Sequence, residues 1–180
     1  MHPLAQEEYR QLRTAIHARG QLRVALAFST LAAWAVVTTM AMPSGGMALP
    51  VSALVPLLLL VAGFEAVHAL HVGAERIGRY LRVRYESESP GTDGPAWETV
   101  IGSFGPGRMG AGRPSGALFP LLFCLAVVAN LLVRAPGTLP VELGALAILH
   151  AAVIARIVVA HRASLAQRAQ DEARFRELMD

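Results

Sequence analysis

The sequence predicts an all-α fold, an integral membrane four-helix bundle built from two antiparallel transmembrane hairpins with helical cytoplasmic extensions. Three observations predict it. Hydrophobic residues make up 54% of the 180 positions and mean hydropathy is +0.45. An ordinary soluble domain is less apolar, at about 45–50% even with glycine included. The apolar residues gather in four stretches, Val24–Met42, Val51–Val72, Ala117–Val133 and Val141–Ala160, each near the ~20 residues that cross a bilayer. The sixteen basic residues are all arginine, and they alternate with the apolar stretches.

Arginine placement sets the topology. Residues 1–23 carry Arg10, Arg13, Arg19 and Arg23, and the segment between stretches two and three carries Arg76, Arg79, Arg82, Arg84, Arg108 and Arg113. The tail carries Arg162, Arg168, Arg174 and Arg176, whereas the other two connections hold only Arg134. The positive-inside rule then places both termini and the central loop in the cytoplasm, in a bacterial inner membrane. That rule accounts for the net charge of +3, so the charge gives no reason to expect nucleic acid as a partner. The one cysteine, Cys124, excludes an intramolecular disulfide and any Cys-based metal cluster.

The elements follow in order. Residues 1–20 form an N-terminal cytoplasmic helix, with Leu4, Tyr9, Leu12 and Ile16 on one side of an amphipathic pattern and Gly20 as its end or bend. Residues 21–86 form the first hairpin. Its second helix runs from Val51 to about Glu86, ~54 Å at 1.5 Å per residue and far beyond a ~30 Å core. Pro56, Gly63 and Gly73 are its candidate kinks. Residues 87–116 are rich in Gly, Pro and Ser and read as a loop, with one short helix expected over 95–104. Residues 117–180 form the second hairpin and a C-terminal cytoplasmic helix. Both descending helices open with the same tripeptide, Leu49-Pro50-Val51 and Leu139-Pro140-Val141, and proline suits a first helical turn. The offset of 90 residues between them also aligns His71 with His161, Arg84 with Arg174 and Tyr85 with Phe175. Such matches hint at a parallel repeat.

The first descending stretch, which opens at Val51, poses the chemical question. Glu65, His68, His71, Glu75, Arg79, Arg82 and Glu86 fall within a ~120° arc of one helix face. An ionisable group at membrane depth needs a partner. Glu65 follows Val51 by fourteen residues and Arg156 follows Val141 by fifteen, so both sit ~22 Å inward and should face each other, directly or through His68. We group Glu65, His68, His71, Arg156 and His150 as an intramembrane polar network, with Glu75, Arg76, Arg79, Arg82 and Glu86 as a charge stripe at the inner face. Trp34 and Asn130 are expected to pack or to hydrogen-bond between helices.

Several chemistries compete for these residues. Glu65 and His68 have the E-x-x-H spacing of a metal-binding helix, but a di-iron bundle needs two such pairs and two more carboxylates. A single divalent metal on Glu65, His68, His71 and His161 fits by ligand type. Haem b between His71 and His161 fits by depth. Both are minority alternatives, because histidines near a membrane boundary more often complete a hydrogen-bond network. No phosphate-loop motif or Ser–His–Asp arrangement is visible. The expected role is therefore non-enzymatic, without cofactor: a scaffold or accessory subunit that meets the lipid bilayer, anionic headgroups at the cytoplasmic face and a protein partner or a second copy. Its rivals are proton- or ion-coupled transport through Glu65, and a redox subunit or lipid-active enzyme on the Glu65, His68 and His71 face.

Overall fold

The computed structural model describes residues 3–40, 53–86, 115–134 and 139–178. Among these the chain is helical throughout, with no strand: α1 (Pro3–Met40), α2 (Leu54–Leu81), a π-helical turn (Arg82–Glu86), α3 (Ser115–Arg134) and α4 (Pro140–Glu177). α1, α2 and α4 are long and apolar enough to cross a membrane, and α3 carries the shorter apolar run Ala117–Val133.

The helix ends follow from the local sequence. Pro140 is the first residue of α4, where its missing N–H leaves no bond unmade. Glu142, two residues on, takes the Leu139 N–H on its carboxylate at 3.4 Å, half of a capping box. Pro56 lies in the first turn of α2 and does not kink it, and α2 runs unbroken past Gly63 and Gly73. Gly20 neither ends nor separates the N-terminal helix: α1 is continuous from Pro3 to Met40. One glycine costs a helix about 1 kcal/mol, too little to interrupt 38 residues held by their neighbours on both sides. The loop expected over 87–116 lies outside the described residues up to 114, and its last two residues, Ser115 and Gly116, instead open α3. The short helix at 95–104 and the Leu49-Pro50-Val51 start also lie outside the described residues.

Contacts give the helix directions. Tyr9 meets Tyr85, Arg19 lies beside Gly73 and Thr30 presses on Gly63, so α1 and α2 are antiparallel. Phe64 meets Phe123 and Ala53 meets Asn130, so α2 and α3 are antiparallel as well. α2 and its π turn run parallel to α4: from Glu75–Arg168 through Arg79–Asp171 to Arg82–Glu172 their polar contacts keep a separation of 90 to 93 residues.

The chain divides into two compact units. One comprises Arg23–His68 and Gly116–Arg162. It holds a core drawn from all four helices: Ala27 of α1, Leu57, Leu60, Phe64 and Val67 of α2, Phe119, Phe123, Ala126 and Val127 of α3, and Ile157 and Ala160 of α4. Gly63 lets α1 come close there, since a Cβ on it would overlap the Thr30 side chain. The other unit comprises Met1–Leu22, Ala69–Ser115 and Ala163–Asp180. Its buried apolar residues among those described are only Leu81 and Tyr85. Tyr85 lies edge-on to Tyr9 and Tyr80, and Tyr80 to Phe175.

Candidate functional site

Three separate polar groupings replace the two expected from sequence. The first is the ion pair named by depth. Arg156 Nη2 of α4 lies 3.0 Å from the Glu65 carboxylate of α2. Parallel helices with nearly equal starts bring the two charges to one level. The pair is not sunk in the core, however: the side chains are 40% and 53% exposed, in the order Glu65 and Arg156. His68 stacks on the ring of Phe64 at 5.5 Å, a contact that uses its flat face rather than a ring nitrogen.

The second grouping is centred on Glu75, whose side chain is 7% exposed. Arg168 of α4 donates to it twice, Nε to Oε2 at 3.2 Å and Nη2 to Oε1 at 2.9 Å. Arg79, one turn along α2, donates Nη1 to Oε2 at 3.3 Å, and His71 Nε2 stands 3.6 Å from Oε1. Arg79 spans onward, donating Nη2 to Asp171 Oδ2 of α4 at 2.7 Å. Arg76 Nε lies 3.5 Å from the same oxygen. Next along the helices, Arg82 forks onto the two oxygens of Glu172 at 3.2 and 3.4 Å. The bidentate guanidinium–carboxylate geometry makes these contacts directional as well as ionic. Glu86 closes the π turn; its side chain lies outside the described residues.

The third grouping contains no charge. Asn130 of α3 is fully buried and His150 of α4 nearly so. Asn130 Oδ1 accepts from Trp34 Nε1 of α1 at 3.2 Å, and Nδ2 donates at 3.2 Å to the carbonyl of Ala53, the residue that leads into α2. Nδ2 is also 2.9 Å from His150 Nε2, and His150 Nδ1 is 2.7 Å from the Leu146 carbonyl. A carbonyl can only accept, so His150 Nδ1 carries the proton and Nε2 receives the amide hydrogen. One asparagine thereby ties together all four helices with every side-chain polar atom in use.

This geometry corrects the sequence-based network. His150 belongs with Asn130 and Trp34, not with Glu65 and Arg156, because it lies on the side of α4 that faces α3. His71 turns to Glu75 rather than to Glu65, its Nε2 standing 3.6 Å from that carboxylate. Among the described residues no three His, Cys, Asp or Glu side chains converge as a metal set, so Glu65, His68, His71 and His161 do not form one. Arg168, Asp171 and Glu172 supply the α4 side of these contacts and are not among the residues grouped from the sequence. Their signal was present, since each opposes in sign the α2 residue 90 to 93 positions earlier.

Outside the apolar segments, burial and the Glu8 carboxylate push the Tyr85 phenol up to about 12, and burial with Glu8 also raises Tyr80. Tyr80 donates to Glu8 at 3.1 Å. Hydrogen bonds from Arg10 and Gln11 hold Glu7 below the usual carboxylate range. Comparison of the chain with protein-family models, curated proteins and solved structures returns no match.

Proposed function

We propose that this chain is a multi-pass membrane protein, with four crossings and both termini in the cytoplasm of a bacterial-type inner membrane, and that it works without catalysis as a scaffold or accessory subunit. The crossing number is supported by the three long apolar helices and by α3, whose apolar run of ~26 Å approaches the thickness of a bilayer core. Leu58, Leu121, Leu125, Leu132, Ile148 and Val159 stand exposed on the apolar unit, a surface that suits acyl chains. Orientation is supported by the arginine count at each end.

One observation carries the non-catalytic reading. Ionisable side chains where α2 and its π turn meet α4 are spent on one another: Glu65 on Arg156, Glu75 on Arg168 and Arg79, Asp171 on Arg79, Glu172 on Arg82. A transport carboxylate must be free to change partner, and a metal site must hold open ligands. Neither condition is met by these pairs. The exposed arginines Arg76, Arg84, Arg162 and Arg174 then suit anionic headgroups or an acidic partner segment at the inner face.

Reconstitution tests this. Purified full-length chain in proteoliposomes should show no pH-gradient-driven proton uptake above empty vesicles. Purification from native membranes in a mild detergent should bring down a partner in fixed stoichiometry, or a defined oligomer. A measurable flux abolished by Glu65→Gln would replace the scaffold reading with transport.

A further inference from the structure

The Glu65–Arg156 pair is an ionic contact of the apolar unit, and it is about half exposed. If that unit lies in lipid, as proposed above and on which this inference rests, the exposed part of both charges faces hydrocarbon. That is costly even for a pair, because each ion keeps hydrogen-bonding capacity that lipid cannot meet. Something polar should cover it, and the local pattern identifies what.

Leu58, Ala62 and Glu65 lie on one edge of α2 at i, i+4 and i+7. Leu149, Ala152 and Arg156 lie on one edge of α4 at i, i+3 and i+7. Leu58, Leu149, Ala62, Ala152 and Arg156 are exposed and Glu65 is partly so. The two parallel edges carry the same order, a leucine, a small residue and then a charge, but the charges are opposite. A two-fold axis parallel to these helices sets α2 of one copy against α4 of the other. It therefore places Glu65 against the partner copy's arginine and Arg156 against its glutamate, at a single depth. The alanines allow the helices to approach closely, and the leucines pack one turn pair away. A two-fold contact of this kind is closed and self-complementary.

We propose that a second copy of this chain docks on the α2–α4 seam, joining two Glu65–Arg156 pairs into a ring of four alternating charges. The seam then explains the exposure of the pair: it is a half-site.

The test uses the full-length chain in liposomes, with two fluorescent labels on separate copies. Wild-type copies should show energy transfer that is diluted out by added lipid. Glu65→Arg alone and Arg156→Glu alone should each weaken self-association at least ~10-fold, since like charges then oppose across the axis. Mixing the two single variants should restore transfer between unlike copies, where every contact across the axis is again attractive. A purely intramolecular role cannot give that rescue, because neither variant regains its internal pair. Cysteines at Ala62 in one copy and Ala152 in the other, with Cys124→Ala in both, should oxidise to a mixed dimer without disturbing either charge. Unchanged transfer in both single variants, absence of rescue in the mixture, or absence of the mixed disulfide overturns the dimer. Alkaline-carbonate extraction of the same vesicles separates the premises. A chain retained in the membrane but unassociated overturns only the dimer, while a chain released into the supernatant overturns the membrane reading and the dimer with it.

Discussion

In the unit formed by Arg23–His68 and Gly116–Arg162, the buried polar residues are Thr30, Thr38, Asn130 and His150; in the other unit they include Glu75 and Arg79. The same three helices, α1, α2 and α4, supply both. The first unit coheres by close packing of Phe64, Phe123, Leu60 and Ile157 around a fully used set of neutral hydrogen bonds. The second has Leu81 and Tyr85 as its buried apolar residues and is held by arginine forks on carboxylates. If the first unit lies in lipid, as proposed above, the contrast reflects how solvent selects the glue. Lipid gives no hydrophobic drive to helix contact, so fit and neutral hydrogen bonds decide. Where water is at hand, charges can be brought together from a screened, hydrated state, provided each is met on several sides.

Breaking the ionic unit at its centre should have the largest effect. Glu75→Ala leaves Arg79, 10% exposed at the side chain, facing Arg168 with no carboxylate between them. Removing one partner from a buried ionic group costs about 3–5 kcal/mol. Thermal unfolding of the full chain in detergent should report it, and a loss below ~1 kcal/mol would mean that this unit is held elsewhere. Next is the neutral network of the other unit. Asn130→Leu strands the Trp34 indole N–H, the Ala53 carbonyl and His150 Nε2, for about 2–3 kcal/mol. Gly63→Ala follows at about 2 kcal/mol, because the added methyl must displace Thr30 in a packed interface.

Two milder perturbations sharpen the contrast. Arg82→Ala removes a fork whose side chains are 34% and 24% exposed, worth about 1 kcal/mol or less. Raising salt to ~1 M should mimic that loss and leave the Asn130 network untouched. Alkali should also act on the ionic unit alone. Tyr85 ordinarily titrates near 10 and is raised to about 12 in the fold. Between those values the unfolded chain has lost the proton that the folded chain keeps, so stability is full below pH 10 and falls as pH rises to about 12. Tyrosinate absorbance, followed together with unfolding, should show the late-titrating phenol disappear in Tyr85→Phe.

Much of this was legible in the sequence, and the reasons differ by feature. Helix limits were accessible because proline starts and apolar length are local signals: Pro140 opens α4, and the π turn carries α2 on to Glu86 as expected. The Glu65–Arg156 pairing followed from counting depth along two parallel helices. The same count names Arg168, Asp171 and Glu172 only when opposite signs are matched across the offset, whereas a repeat aligns like residues. His150 was misplaced for a different reason. Depth was considered without azimuth, and a helix face is settled by which neighbour lies there, which Asn130 on α3 decides. Gly63 was read as a hinge because a sequence shows missing side chains, not what fills the space.

The parallel course of α2 and α4 has an electrostatic consequence of its own. Peptide dipoles in each add up to about half a negative charge at the carbonyl end, and here two such ends belong to the same unit. Left bare, they would repel. Arg79 stands in the last turn of α2, Arg84 in the π turn that extends it, and Arg174 and Arg176 in the last turn of α4. These guanidinium groups therefore neutralise two aligned helix termini, so reversing their sign would disturb the fold.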